Sequence, residues 1–363
     1  VKEHELVALR SGSRLKELAE AVSQPAAIEG SAAAILLTNV FGRYSWRYAN
    51  RGYRYALIDS GHIGENLRLA ARSAGLGWTP ATQFEDDALN ALLEVDGREE
   101  AVCAVHAVGS PTGSETPASG RARHLAEKLE IEPEKLPRSG PLPARFHEAT
   151  KLVPAPSREE REVAPPSERA AMGPETVLPS LSPRPAATVE ETIQERRSAR
   201  LFHQRSVRLE ELAFALEMAQ DRRVLERSLG VDLFVAAHRV EGIRPGFYQY
   251  RPRQRSIAQV RPEDLRAAVI RACLRQEKAG RAAAALFMVG RIAEADAARG
   301  KRSYRQLLIE SGEIGQRIYL AAEAMGLAAR NLSAFYDDEL NGLLGFDGRR
   351  EAVLHLTVLG NGV

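Results

Sequence analysis

At 363 residues, with 44% hydrophobic and 27% charged residues, the chain has the make-up of a globular protein. It is long enough for two ordinary domains, or for one large α/β unit whose core could hide a cofactor. Lys and Arg nearly balance Asp and Glu, leaving a formal net charge of +2, so no overall field favours nucleic acid or an anionic membrane as a partner. Cys103 and Cys273 lie in apolar or helical surroundings without a CxxC partner. That points to core positions and a reducing compartment rather than a disulfide framework. The longest apolar runs, Ala32–Val40 and Ala282–Gly290, are too short to span a bilayer, and no signal-peptide pattern precedes them. A cytoplasmic protein is expected. The first residue, Val1, fits an alternative start codon, processing or a missing N-terminal segment equally well.

In chain order, the run up to Val40 reads as a buried central strand. A long helix follows, with Ile63, Leu67, Ala70, Ala71 and Ala74 at helical spacing, and Gly75 is placed to stop it. Next come a short helix over Asp86–Leu93, an Asp96-Gly97 turn and an apolar strand over Ala101–Val108. Residues 110–187 are rich in proline and in both charge signs, with one short helical stretch, Ala122–Leu129. A connection this long is either disordered or wraps a surface. Leu142, Phe146 and Leu152 are apolar anchors that favour wrapping. From Thr188 to Tyr250 the pattern is a helix-loop-helix and then a strand-turn-strand, VDLFVAAHRVEGIRPGFYQY. RAAAALFMVG, before Arg291, reads as a second buried strand.

After that strand the first pattern returns. Leu57–Gly109 aligns without a gap on Leu308–Gly360, at a constant offset of 251 residues, with about half the positions identical. Ile314, Ile318, Ala321, Ala322 and Met325 repeat the helical spacing, Gly326 the stop, Asp337–Leu344 the short helix, Asp347-Gly348 the turn and Ala352–Leu359 the strand. The Gly61/Gly64 and Gly312/Gly315 pairs would let the two long helices approach closely, which implies a pseudo-twofold axis between them. The expected division is a truncated half over 1–109, a wrapping linker over 110–187 and a more complete half over 188–363.

The strongest local candidate for chemistry is Glu195-Arg196-Arg197-Ser198-Ala199-Arg200, at the end of the helix that starts near Thr188. A phosphate needs several convergent donors, and three guanidinium groups with a hydroxyl among them could supply an anion cradle; the alternative is that a short basic run is simply a solvated face. The eight histidines are scattered and no Cys/His pair has metal-ligand spacing. GxGxxG, P-loop and GxSxG patterns are absent from strand-helix junctions, which argues against a Rossmann-type dinucleotide fold.

The order ERRSARLF, VEGIRPGFYQY, ESGEIGQRIYLAAEAMGL and FYDDELNGLLG resembles the nitroreductase superfamily, and specifically its tandem azoline-oxidising dehydrogenases of the SagB/ThcOx type. FGRYSWRYANRGYRYALIDSGHIGENLRLAA in the N-terminal half and FHEATKL from Phe146 are similar to the same group. The resemblance implies an α+β, nitroreductase-like fold of two fused halves that form an intramolecular pseudo-dimer, with FMN at the seam. It implies that Arg196, Arg197, Ser198 and Arg200 grip the ribityl phosphate and that Asn331, Leu332 and Ser333 form the loop over the isoalloxazine ring. Asp59 and His62 match the region through which the partner half reaches the flavin, and Gln276 is a looser candidate for the same site. The bland alternatives are turn residues for Asn331 and Ser333, a surface helix residue for Gln276, and a bond to the helix start for His62.

Trp46-Arg47-Tyr48 aligns with a lysine-tyrosine pair that the azoline dehydrogenases use in proton abstraction, with arginine where lysine is expected. Arginine stays protonated and is a poor base, but it can favour a neighbouring phenolate. Tyr48 is therefore the candidate base and Arg47 its electrostatic support, against the alternative that Tyr44, Trp46, Tyr48, Tyr53 and Tyr55 only pack an interface.

Two departures stand out. The flavin-enclosing loop is shortened to Arg227-Ser228-Leu229-Gly230, and the basic residues expected beyond the last strand are missing, leaving Arg349 and Arg350 as substitutes. A single arginine-serine motif implies at most one FMN per polypeptide, with the second pseudo-symmetric site empty. The expected activity is FMN-dependent oxidoreduction of a modified peptide or of a small electron-poor molecule, with NAD(P)H or oxygen as electron partner. The rival is a non-catalytic homologue that binds a peptide or protein as a scaffold. A pseudo-dimeric monomer is expected, with further dimerisation left open.

Overall fold

The computed structural model describes residues 11–109, 141–152, 168–180, 187–220 and 228–362. The expected helix over Ala122–Leu129 and Arg227 of the shortened loop lie outside the described residues. The chain divides into two compact units, residues 1–56 with 70–156, and residues 57–69 with 157–363.

The first unit runs α1 (Leu15–Glu20), α2 (Pro25–Glu29), β1 (Ala33–Val40) and α3 (Phe41–Tyr48). It continues with the ends of α4 (Gly52–Ser73), then β2 (Trp78–Ala81), α5 (Asp86–Leu93), β3 (Glu100–Val108) and α6 (Pro141–Ala149). Its antiparallel sheet has the order β1-β3-β2. Leu18, Ile28, Phe84, Leu89, Val102 and Val105 form the core under it. α6 is held by an aromatic cluster in which Tyr53 stacks edge-on against Phe146 and its hydroxyl meets His147 Nδ1 at 3.1 Å. Lys151 then pairs with Asp87 at 2.7 Å and the Leu152 amide donates to Asp86 at 3.0 Å. This part of the linker therefore wraps its own unit, although Leu142 is exposed and is no anchor.

The second unit runs β4 (Glu175–Val177), α7 (Val189–Glu195), α8 (Leu209–Ala219), β5 (Val231–Ala237), β6 (Gly246–Arg251) and β7 (Ser256–Arg261). α9 (Arg266–Ala272), α10 (Lys278–Arg281), β8 (Ala284–Gly290), α11 (Ile292–Arg299), α12 (Ser303–Ala324), β9 (Ala328–Leu332), α13 (Asp337–Leu344) and β10 (Ala352–Gly360) follow. The sheet order is β4-β7-β6-β5-β8-β10-β9, with antiparallel pairing throughout. β5, β8 and β10 are buried along their whole length, in the middle of the sheet, with Asp232, His355 and Thr357 as buried polar members. β4 comes from the linker and adds to the edge of the sheet, a pairing too short to announce itself in the sequence.

The two sequence copies build the same local machinery. Gly75 and Gly326 adopt φ of +73° and +69°, and the amides of Leu76 and Leu327 reach back to the carbonyls of Ala71 and Ala322, closing each long helix with a left-handed cap. In each turn one aspartate oxygen, of Asp96 or Asp347, accepts three consecutive backbone amides. Asn90 and Asn341 each accept the amide of the second apolar residue of the following strand, Val102 at 2.9 Å and Val353 at 2.8 Å.

Candidate functional site

The Leu57–Leu69 stretch of α4 belongs to the second unit and crosses α12 there. A Cβ on Gly61 would collide with the carbonyl oxygen of Ile309, and one on Gly312 with that of Ile58, so both positions admit glycine alone. The same reciprocity governs the polar pairs. Glu65 is bonded by Arg317 at 3.3 Å, and Asn66 accepts from Gln316 at 2.8 Å. Glu65 is the sequence counterpart of Gln316 and Asn66 that of Arg317. Residue i meets j′ while j meets i′, the signature of a twofold relation. The long helices start at Gly52 and Ser303, earlier than the repeat boundaries suggest. Asp59 and His62 are thus mid-helix rather than at its start, and Asp59 is exposed.

His62 is the centre of a polar chain. Its Nδ1–H donates to the carbonyl of Ile58 at 2.9 Å, which leaves Nε2 as an acceptor for the Asn331 side-chain amide. Asn331 Oδ1 in turn accepts from Thr357 at 2.5 Å. Burial, with the positive charge of Arg196 adding to it, pushes His62 down to about 4, so the ring is neutral at ordinary pH. The bland reading of His62, a bond to the helix start, is not what is found: its partner Ile58 lies one turn back within the helix, and His62 also makes a contact across the unit that the sequence could not show.

The arginine-serine segment docks beside this chain. α7 is opened by a capping box between Thr188 and Glu191, which fixes where the helix ends and where Arg196 emerges. Ser198 then bridges to Ala329 beside β9, the Ala199 amide donates to the Ala329 carbonyl at 3.0 Å, and Arg330 caps the Ala199 carbonyl at 2.9 Å. Tyr319 links the two parts. Its hydroxyl meets Ser198 Oγ at 2.7 Å and accepts the backbone amide of Asn331 at 2.9 Å, while the Arg196 guanidinium lies 4.8 Å from its ring centroid. Arg197 and Arg200 are exposed, and among the described residues no carboxylate is paired with any of the three guanidinium groups.

The remaining candidates divide. Ser333 hydrogen-bonds His355 Nδ1 at 2.8 Å, and the His355 ring stands edge-on to that of His62 at 5.9 Å. A Cβ at Gly315 would press on both rings, so glycine there lets them meet. Gln276 donates to the carbonyl of Ala334 at 3.0 Å and braces the loop after β9. Leu332 turns its side chain into the core, among Phe335, Val353 and Leu356, so only its backbone is left for a ligand. Arg349 and Arg350 sit in the Asp347 turn at the far end of β10. The strand from Ala352 to Leu359, the partner of Ala329, lies between that turn and the arginine-serine segment and is roughly 23 Å long, too far for Arg349 or Arg350 to replace the missing basic residues. Ser228 and the Leu229 amide bond Glu310, at 2.6 and 2.9 Å, so the described part of the shortened loop is tied to α12.

Arg47 and Tyr48 belong to the first unit. The Arg47 guanidinium carbon is 5.8 Å from the Tyr48 ring centroid, and Tyr48 stands edge-on to Tyr55 at 4.7 Å. Trp46 and Tyr48 are exposed while Tyr53 is buried, so packing accounts for only part of this aromatic group. Tyr55 has its own cation: burial raises it above the usual phenol value, and a hydrogen bond from Arg51 works against that rise.

The sequence model of the nitroreductase family matches residues 3–110 and 193–361, most of the chain and both copies of the repeat. The chain belongs to the nitroreductase family. Its fold is the mixed α/β nitroreductase fold in a two-part tandem arrangement. A crystal structure of a protein from Anabaena variabilis that bears a nitroreductase name superposes with a TM-score of 0.80 at 26% identity, covering 98% of this chain and 74% of the other. A protein of Methanocaldococcus jannaschii, also named as a nitroreductase, is 28% identical over 165 residues, 43% of this chain and 83% of its own length. Nitroreductase-family proteins generally bind FMN. The donor set here suits such a group at its phosphate end: among the described residues Arg196, Arg197 and Arg200 have no carboxylate partner, and they share a largely exposed segment with the Ser198 hydroxyl, the Arg197 guanidinium resting on the Gln194 and Arg196 carbonyls at 2.7 and 3.0 Å.

Tyr319, Thr357 and His355 were missed from the sequence, yet a signal for them exists. Their counterparts in the first copy are Arg68, His106 and Ala104, and that of Asn331 is Pro80. At these positions the second copy carries polar groups that the first copy does not place in the same way, and that difference is the signal.

Proposed function

We propose that this nitroreductase-family chain is an FMN-dependent oxidoreductase with one FMN per polypeptide. In this reading it is a SagB/ThcOx-type enzyme that oxidises azoline rings in a modified peptide, or else a reductase of small electron-poor compounds, with NAD(P)H or oxygen as electron partner. The observation that carries the reading is the Tyr319 hydroxyl, which joins the arginine-serine segment to the Asn331–His62 chain in one constellation. Arg196, Arg197, Ser198 and Arg200 would hold the phosphate. Asn331, His62, Ser333 and the backbone of Leu332 would line the ring, with Asp59 and Gln276 in supporting positions. When bound, FMN supplies two-electron hydride chemistry that no side chain here can perform. The neutral His62 keeps the Asn331 amide in one orientation, its Nδ2 side committed and its Oδ1 side held by Thr357. Tyr48 is the proposed base that takes a proton from substrate, with the Arg47 guanidinium beside its ring as support.

The visible absorption spectrum of the purified chain, with and without added FMN, tests this directly. A stoichiometric flavin band is expected, and a chain that stays colourless in excess FMN leaves the scaffold reading in its place. Tyr48→Phe should keep FMN bound while lowering kcat by about 100-fold or more; unchanged turnover removes Tyr48 from the account.

A further inference from the structure

The hydroxyl of Ser198 has a direction, and Tyr319 sets it. The backbone N–H of Asn331 can only donate, so the Tyr319 oxygen is the acceptor in that bond, at 2.9 Å. The phenol proton then needs an acceptor of its own. Tyr319 is 5% exposed, and among the described residues Ser198 Oγ, at 2.7 Å, is the partner left for it. Were Ser198 to donate instead, the phenol oxygen would accept twice and its proton would be buried with nothing to bond, the costly arrangement for a polar group. The order therefore runs from the Asn331 amide to Tyr319, and from Tyr319 to Ser198. That leaves the Ser198 proton free to point away from Tyr319, on a segment whose Arg197 and Arg200 are also exposed.

We propose that Tyr319 is a positioning residue that turns the Ser198 hydroxyl into a donor facing a phosphorylated ligand. The inference rests on the flavin reading above. In the first copy the equivalent place is taken by Arg68, which forks onto Glu65 at 2.6 and 2.9 Å, so the first copy does not repeat the device.

Flavin-fluorescence titrations of the full chain with FMN and with riboflavin, which lacks the phosphate, test it. Tyr319→Phe keeps the ring under Arg196 and removes only the hydroxyl. It should weaken FMN about tenfold and riboflavin clearly less, the riboflavin loss reflecting only the Asn331 amide that the hydroxyl also holds. Ser198→Ala should weaken FMN and spare riboflavin, and the double variant should exceed Ser198→Ala only by the loss that Tyr319→Phe shows for riboflavin, because both single variants remove the same donor to the phosphate. Unchanged FMN affinity in Tyr319→Phe, parallel loss of both flavins, or losses that multiply in the double variant would each overturn the proposal while the flavin reading stands. A wild-type chain that takes up neither flavin overturns the flavin reading, and this inference with it.

Discussion

The two copies of the repeat share their framework and differ in their chemistry. Gly75 and Gly326, Asp96 and Asp347, and Asn90 and Asn341 do the same work with nearly the same distances. At the position where the first copy carries His62, the second carries Glu313. Burial discharges both by opposite routes. It pushes His62 down to about 4. It pushes Glu313 up to about 8 against the pull of Arg317, with the carboxylates of Glu65 and Glu310 adding to the rise. What the pair teaches is that the helix crossing tolerates either residue so long as it is neutral, while the neighbours decide its use. His62 meets Asn331 and Tyr319. The residues aligned with those two in the other copy, Pro80 and Arg68, cannot make the same chain.

The comparison breaks most severely at the crossing itself. Gly312→Val places a branched side chain against the Ile58 carbonyl, and a loss of more than about 4 kcal/mol, or separation of the helices, is expected in thermal melts. A Tm within a few degrees of wild type would show that the helices do not cross here. Asn90→Ala and Asn341→Ala each strip a buried strand amide of its acceptor, for about 1–3 kcal/mol apiece. Hydrogen exchange should accelerate at Val102 in the first variant and at Val353 in the second; acceleration of both amides in either variant would mean that the two copies are not independent frameworks.

Titration sharpens the comparison further. His62 has a folded value below its ordinary 6.5, so its contribution is present above 6.5 and is lost as pH falls toward 4. Glu313 has a folded value above its ordinary 4.5, so its contribution is present below 4.5 and is lost as pH rises through about 8. Glu313→Gln should therefore flatten the decline of Tm between pH 4.5 and 8 and leave the acid side unchanged. An unaltered alkaline decline would exclude Glu313 as its source. The smallest effect is expected at Gly342, where a Cβ meets nothing: Gly342→Ala in α13 should stabilise by about 0.5–1 kcal/mol.

Much of this architecture was legible in the chain. The repeat, its helix stops, its Asp-Gly turns, the hairpin of β5 and β6 and the close helix approach at Gly61 and Gly312 all follow from periodicity and from glycine at places where a side chain cannot go. The arginine-serine segment could be singled out only with the family resemblance beside it, because a short basic run by itself is usually a solvated face. Less legible were β4, whose three residues pair only because β7 offers an edge, and the inward turn of Leu332, which is decided by strand pleat.

The amino-acid order by itself determined the local devices, because caps, turns and amphipathic spacing are settled by residues a few positions apart. Only the tertiary structure decided which polar groups meet. Asn331 and His62 are 269 positions apart and Ser198 and Tyr319 are 121 apart. Such pairs are selected by sheet order and helix crossing, for which hydrogen bonds within each element leave no trace. The same physics explains why the polar chain of His62 from the first copy with Tyr319, Asn331 and Thr357 from the second has no mirror image among the described residues: the framework residues are satisfied locally in both copies, but a chain of donors needs every member in place at once.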